Sequence, residues 1–391
     1  MRGEDQTAAC DRAYSGAGSE QRQRLGAVVT YLSTAPNNSR NHEAVTRREL
    51  ARRLARLKRV EFAGEYDPDA RYPGALYFLP CDTLVGRDEA AALGLRSEED
   101  LFGGIVPHRF VATKSITHPL IDANACAPRG WSHSFARDVA DSVLSGFAAF
   151  TRDDARRAAE RLLRQGPIRI KRSLGIGGQG QFELDRIDML NGFLDKIDPE
   201  EIATCGVALE ENLVDVTTCS VGQVRVAGFI ATYYGTQHST TNNAGTTVYG
   251  GSELLVVRGD FETLLELPLS DNARLAVAQA RVYDAATHCF DGFLASRRNY
   301  DVAQGFDAQG RWRSGVLEQS WRVGGASGAE IGALEAFEAD ASLQVVRART
   351  IEIYGRGHEP PPDAVIYFHG DDEHIGPLTK YTLVSKHGNR R

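Results

Sequence analysis

An α/β fold opening into α+β units is the class this sequence predicts, and three observations carry it. A strand–helix–strand order begins the chain: residues 27–32 (AVVTYL), a helix over 42–59, then strands at 60–62 and 75–79. Further on, the short strand 168–172 (IRIKR) runs into a loop with glycines at 175, 177, 178 and 180. Later still, stretches 299–304 and 313–322 flank Asp307-Ala-Gln-Gly310 as a β-hairpin.

The chain has 391 residues, enough for two or three domains with a large buried core. Its 42% hydrophobic and 25% charged content is that of a soluble globular protein. A net charge of −7 excludes the basic footprint that nucleic-acid binding needs. The six cysteines are scattered without a C-x-x-C pair, which fits reduced thiols rather than zinc or a disulfide framework. No apolar run reaches the length of a membrane span, and the first 25 residues lack a signal-peptide core. A cytoplasmic protein is the expectation.

In chain order, residues 1–25 are polar and read as a disordered tail. The helix over 42–59 carries Leu50, Leu54 and Leu57 on one stripe. Arg47, Arg48, Arg52, Arg53 and Arg56 surround it as a solvated face, an anion-binding surface being the alternative. A small N-terminal α/β domain is thus expected over 26–110, a lysine and glycine-loop subdomain over 111–206, and a C-terminal subdomain over 207–391. In the second, Thr151 caps a helix over 151–164 with Asp153 and Asp154 in its first turn. That helix feeds the 168–172 strand, and another helix is expected over 187–198. Strand 207–213 ends in an exposed acidic pair, Glu210 and Glu211. Strands 217–221 and 223–233 meet at Gly222, and the Gly/Ser/Thr/Asn-rich stretch 235–251 reads as a mobile loop. A helix fits 271–290, Ser327 caps another to about Asp340, and short strands close the chain.

Chemistry centres on Lys171. Only six of the 45 basic residues are lysine, so a lysine just before a glycine-rich loop is more informative here than in a balanced sequence. Alternation sets Lys171 on the face opposite Ile168 and Ile170. The loop beyond it can bring backbone N–H groups close to an anion, because glycine has no Cβ in the way. In the hairpin, a four-residue loop puts Asp301 opposite Val316 and Glu318 one step diagonal on the same face, within reach of a shared cation. The run from His369 to His374 is a polar turn, with a second metal site as the alternative.

These residues resemble the ATP-grasp superfamily over roughly residues 110–340. The resemblance implies an ATP-grasp fold with a small N-terminal α/β (pre-ATP-grasp) domain. It implies ATP and Mg2+ as cofactors and a ligase that activates a carboxylate as an acyl phosphate for attack by an amine or similar nucleophile. By the same resemblance Lys114, Lys171 and Gly175, Gly177, Gly178 and Gly180 hold the nucleotide. The segment Glu210-Glu-Asn-Leu213 matches the family's adenine segment, with Glu210 on the amino group and the Leu213 backbone on the ring edge. Asp301 matches the magnesium aspartate. Leu317-Glu-Gln-Ser-Trp-Arg322 matches its "L-E-x-N-x-R", giving Glu318 and Ser320 to metal and Arg322 with Lys171 to catalysis. Departures stand at Ser320 (asparagine in the family), at Asn299 (commonly arginine) and at Thr217 (often acidic). The phosphate lysine that some members carry between 220 and 300 is absent, with Arg225 as a replacement. These departures leave a non-catalytic ATP-binding protein as the alternative. The whole chain also resembles an uncharacterised bacterial family sometimes labelled biotin carboxylase, which makes such activity a further alternative. A Rossmann site is disfavoured because the lysine precedes the loop. The partners expected are small-molecule carboxylate and nucleophile substrates, with no nucleic acid and no membrane.

Overall fold

The computed structural model describes residues 25–32, 41–175 and 180–386; Gly177, Gly178 and the expected polar tail before residue 25 lie outside them. Among the described residues the strands form four sheets. The first is parallel, in the order β2-β1-β3, from β1 (Leu25–Tyr31), β2 (Glu61–Glu65) and β3 (Ala75–Pro80). Helix α1 (His42–Lys58) covers it. The Asn41 side chain accepts the Ala44 N–H at the helix start, and Arg59 closes it in the left-handed region at φ 56°. Its stripe of Leu50, Leu54 and Leu57 is buried, each leucine contributing about 1.5–3 kcal/mol. The arginine face is a solvated one partly held in ion pairs, with Arg52 on Glu49 and Arg53 on Glu335.

β4 (Leu84–Val85), α2 (Arg87–Ala92) and β5 (Gly104–Val106) follow, then 3-10 turns at Arg109–Ala112 and Lys114–Thr117 and helix α3 (His133–Asp138). The next unit is antiparallel and packs around a core of its own. It runs β6 (Gly146–Ala149), α4 (Arg152–Leu162), β7 (Ile168–Arg172), β8 (Gln181–Leu184), α5 (Met189–Leu194), α6 (Pro199–Cys205) and β9 (Val207–Glu211). Its strand order is β6-β9-β7-β8. Thr151 caps α4 as expected, accepting the Asp154 N–H.

The rest is one eight-stranded antiparallel sheet with its helices. The elements are β10 (Val214–Val226), β11 (Phe229–Thr241), β12 (Thr247–Arg258), α7 (Phe261–Leu265), α8 (Asp271–Ala286), β13 (Leu294–Ala295), β14 (Arg297–Phe306), β15 (Trp312–Ser320), α9 (Ser327–Ala339), β16 (Val345–Tyr354), β17 (Val365–Asp372) and β18 (Gly376–Lys386). The order is β15-β14-β10-β11-β12-β16-β18-β17, while β13 pairs with β5 in a separate small sheet. Strand alternation builds two cores from one sheet. Val224, Tyr233, Val256 and Val346 face α9 and α1, whereas Val221, Tyr234, Val257 and Val345 face α8. A small parallel α/β sheet followed by two α+β parts matches the α/β and α+β class that the sequence predicts.

Four local expectations are corrected. Gly222 is no strand end: β10 runs through it, and the close approach of the neighbouring strand calls for glycine there, since a Cβ would lie 2.3 Å from the Arg298 carbonyl oxygen. The chain turns instead at Ala227 and Gly228, both at positive φ, the backbone a two-residue hairpin needs. Residues 235–251 are no loop but the paired halves of β11 and β12; the turn is confined to 242–246, where Asn242 Oδ1 accepts the Ala244 and Thr246 N–H groups. Ser327 does not cap α9. It sits inside the first turn and accepts the Gly324 N–H, while Ala326 holds the cap position without a side-chain bond.

The hairpin register is the fourth correction. Its loop spans 307–311, one residue longer than expected, and a bulge at Leu317 adds another. Phe306 pairs with Trp312 and Val302 with Val316, yet Asp301 pairs directly with Glu318.

Candidate functional site

β7 is an inner strand, so its side chains meet neighbours on both sides. Lys171 is 1% exposed, on the face opposite Ile170, and its Nζ lies 2.5 Å from Glu210 Oε1. Glu210 is not the exposed acid that the sequence suggests. It stands on β9 directly opposite Arg169 and one step diagonal from Lys171, and it is 2% exposed. Its Oε2 is 3.2 Å from His118 Nε2, a residue sequence reasoning did not single out. Burial alone would raise the Glu210 pKa, but Lys171 and His118 outweigh it and hold the carboxyl at about 2. Both Glu210 oxygens are therefore engaged by side chains of this protein, which argues against the adenine contact implied for it.

Lys114 reaches the same place from outside the antiparallel unit. Thr113 caps its 3-10 turn, and the buried Gln319 side chain donates to the Val111 and Thr113 carbonyls at 3.0 and 2.7 Å. With the turn fixed on β15, Lys114 Nζ lies 2.6 Å from Glu318 Oε2 and donates to the Gly175 carbonyl at 3.2 Å. Gly180, at φ 72°, returns the chain to β8 by accepting the Arg172 N–H at 2.8 Å. The described ends of the glycine loop thus sit beside both lysines.

Asp301 and Glu318 oppose each other across β14 and β15. Asp301 Oδ1 accepts from Gln237 Nε2 at 2.8 Å, Asn299 Nδ2 at 3.0 Å and the Ser220 hydroxyl at 3.3 Å. Burial and then Glu318 push the Asp301 carboxyl up, against those three donors. Burial works against Glu318 too, but Lys114, Lys171 and Arg322 outweigh it and hold that carboxyl below its usual range. Facing carboxylates repel unless a cation or a proton relieves them. Two hard oxygen donors in this state fit magnesium, which takes few protein ligands and keeps water and phosphate oxygens. Among the described residues no group of three or more His, Cys, Asp or Glu is placed to hold a metal ion, so the pair would share its cation with other oxygens.

The remaining expected residues divide. Arg322 borders the cluster, with Nε 3.6 Å from Asp82, which follows β3. Ser320 Oγ accepts from the Arg297 guanidinium at 3.2 Å, so this hydroxyl already faces a cation and is poorly suited to a metal. Leu213, in the break between β9 and β10, is buried against Leu144 and Ala303. Thr217 is exposed on β10. Arg225 does not replace the absent lysine: it bonds Gln223 and pairs with Glu98, and Arg298 likewise pairs with Glu98 and Asp284. The 369–374 run is not the turn expected over its whole length: residues 369–372 end β17 paired with β18, and only Glu373 and His374 lie in the turn between them. Asp372 accepts the His42 N–H at the start of α1 at 2.7 Å and the His374 N–H at 2.9 Å.

Comparisons with solved structures find distant likenesses. An N5-carboxyaminoimidazole synthase from Aspergillus clavatus, in complex with ADP and 5-aminoimidazole ribonucleotide, is 13% identical with a TM-score of 0.49 over 92% of this chain and 94% of its own. A biotin carboxylase–β,γ-ATP complex from Campylobacter jejuni is 9% identical, TM-score 0.46, over 92% and 87%. A phosphoribosylamine–glycine ligase from Thermotoga maritima is 13% identical, TM-score 0.46, over 92% of each chain. No curated protein matches the sequence. Residues 29–382 match the family described as "Protein of unknown function (DUF3182)", and the chain belongs to that family.

Proposed function

We propose that this chain binds ATP with magnesium and activates a carboxylate as an acyl phosphate for attack by an amine or similar nucleophile. The observation that carries the reading is convergence. Lys114 and Lys171 come from separate units, yet both act on Glu318, which faces Asp301 across one strand pair. Lysines beside opposed carboxylates make little sense as a closed ion-pair set and good sense as a polyphosphate–metal site. When bound, ATP and magnesium supply the transferable phosphoryl group and much of the charge neutralisation that its transfer needs.

The protein's own groups have separable tasks. Lys114 and Lys171 hold phosphate oxygens as compact point charges, and Glu210, itself held by His118, aims Lys171. Asp301 and Glu318 would hold the metal, with three donors fixing the Asp301 carboxylate through its Oδ1. Arg322 stands where an anionic substrate group can exchange for Asp82.

A second reading, ATP binding without catalysis, is favoured by Ser320. In place of an asparagine ligand it offers a hydroxyl already taken by Arg297. One experiment separates the two. Thermal shift should show stabilisation by ATP with magnesium, and phosphate release across a carboxylic acid and amine panel should fall at least 100-fold in Glu318→Gln. Stabilisation without phosphate release in any pairing selects the non-catalytic reading. No stabilisation by ATP, with or without magnesium, overturns both.

A further inference from the structure

Behind Asp301 lies a charged group that the proposed reaction does not use. Arg297 is 1% exposed and Glu330, on α9, is 0% exposed. The guanidinium donates to Glu330 from Nη2 at 2.8 Å and from Nε at 3.0 and 3.1 Å. Its Nη1 donates to the Ser320 and Arg322 carbonyls at 3.1 and 2.7 Å. The buried Tyr233 hydroxyl lies 2.6 Å from Glu330 Oε1 and 2.8 Å from Asn299 Oδ1. Asn299 in turn donates to Asp301 Oδ1. Two routes therefore leave one buried ion pair. One runs through Tyr233 and Asn299 to the Asp301 carboxylate, and the other through two backbone carbonyls to the segment that bears Arg322.

An ion pair this deep is a weak source of stability, since desolvation offsets most of the attraction. Its contacts are better suited to fixing geometry. The one Tyr233 proton, shared between Glu330 Oε1 and Asn299 Oδ1, holds the amide oxygen on the tyrosine side, which leaves Nδ2 to donate toward Asp301. An amide turned the other way would aim its oxygen at the carboxylate. Outer partners that orient a metal ligand in this way tune its affinity.

We infer that Glu330, Arg297 and Tyr233 are positioning residues that set the Asp301 carboxylate for a divalent cation, an inference that rests on the nucleotide–metal reading above. Mn2+ titrated in the presence of a non-hydrolysable ATP analogue, with free Mn2+ read by electron paramagnetic resonance, tests it. Tyr233→Phe removes one hydroxyl and keeps the ring, and Glu330→Gln removes the counter-charge. Tyr367→Phe is the comparison, because that buried hydroxyl donates to the Gly328 carbonyl of the same helix but lies outside the chain to Asp301. Expected are about tenfold weaker Mn2+ binding in Tyr233→Phe, unchanged metal-free nucleotide affinity, and wild-type Mn2+ binding in Tyr367→Phe. Should Glu330→Gln fail to fold, Tyr233→Phe alone decides. Equal Mn2+ affinity in Tyr233→Phe and Tyr367→Phe overturns the inference while leaving the nucleotide reading intact. A wild-type protein that binds the analogue but no Mn2+ overturns both the inference and the metal assignment.

Discussion

At Lys171 and Glu210 each residue makes the burial of the other tolerable. Removing the ammonium by Lys171→Met leaves a carboxylate with His118 as its remaining side-chain partner, and such uncompensated burial costs about 3–5 kcal/mol. Urea denaturation at neutral pH should register that loss. Acid should expose the same pair. Glu210 sits at about 2 when folded against 4.5 unfolded, so the unfolded chain takes up its proton first. The stability it contributes is complete above pH 4.5 and disappears as pH falls toward 2, roughly 3 kcal/mol in all. Wild type should therefore lose more stability than Glu210→Gln over that window; superimposable acid limbs would show that Glu210 is not held charged. Lys171 was legible in the sequence because lysine is scarce and stands before glycines. The burial of Glu210 was not, since its partner His118 lies 92 positions away and carries no local signal.

Among elements, the antiparallel unit over 146–211 hangs from the rest of the chain by two junctions, at 144–145 and 212–213. β15 holds both. Arg313 donates to Glu211 at 2.9 Å and to the Ser145 hydroxyl at 3.2 Å, Glu211 also accepts the Ser145 N–H, and Leu144 and Leu213 pack on Ala303 beside Leu317. Arg313 is about a third exposed, so the pair should add little to global stability, about 1 kcal/mol or less. Its effect belongs to the junction. Arg313→Ala should raise hydrogen exchange across β6, β7 and β9 together, with β11 and β12 unchanged. Exchange that stays at the wild-type level in β6–β9 would remove Arg313 from the hinge. The hairpin shows why such detail escapes sequence reading. Its existence followed from alternation around a glycine turn, but one extra loop residue and one bulge moved Glu318 from diagonal to directly opposite Asp301. Neither insertion changes the hydrophobic pattern that betrays a strand. The strands of β11 and β12 were missed for a related reason: threonine, serine and asparagine spell a loop by composition, whereas here they form a pleat whose polar face borders the site.

Across the whole molecule, the boundaries that the sequence suggests do not match the cores. Val28, Leu50, Leu54 and Tyr77 from the N-terminal sheet and α1 share one apolar cluster with Val226, Tyr233, Leu254, Leu334, Phe337 and Val346. β5 pairs with β13, and Glu98 reaches Arg298 at 2.5 Å. The 146–211 unit keeps a cluster to itself apart from residues 121 and 125, and the N-terminal unit keeps a smaller one around Val29, Phe78 and Leu101 apart from Leu294. Unfolding should follow cores rather than sequence order. Leu54→Ala, in the N-terminal helix, should cost about 2–5 kcal/mol and speed exchange in β10, β11 and β12 as much as in β1. Leu194→Ala should act on the 146–211 unit and leave those strands protected. A fragment beginning at residue 110 should lack fixed near-ultraviolet ellipticity, because α9 and one face of the large sheet lose the cover of α1. A cooperative transition in that fragment would show instead that the N-terminal sheet is an appendage. The shared core also bears on the site. Tyr233 is a member of that cluster and, through Asn299, a partner of Asp301, so cover laid down by α1 and α9 helps fix the position of a carboxylate on the strand pair at the far end of the sheet.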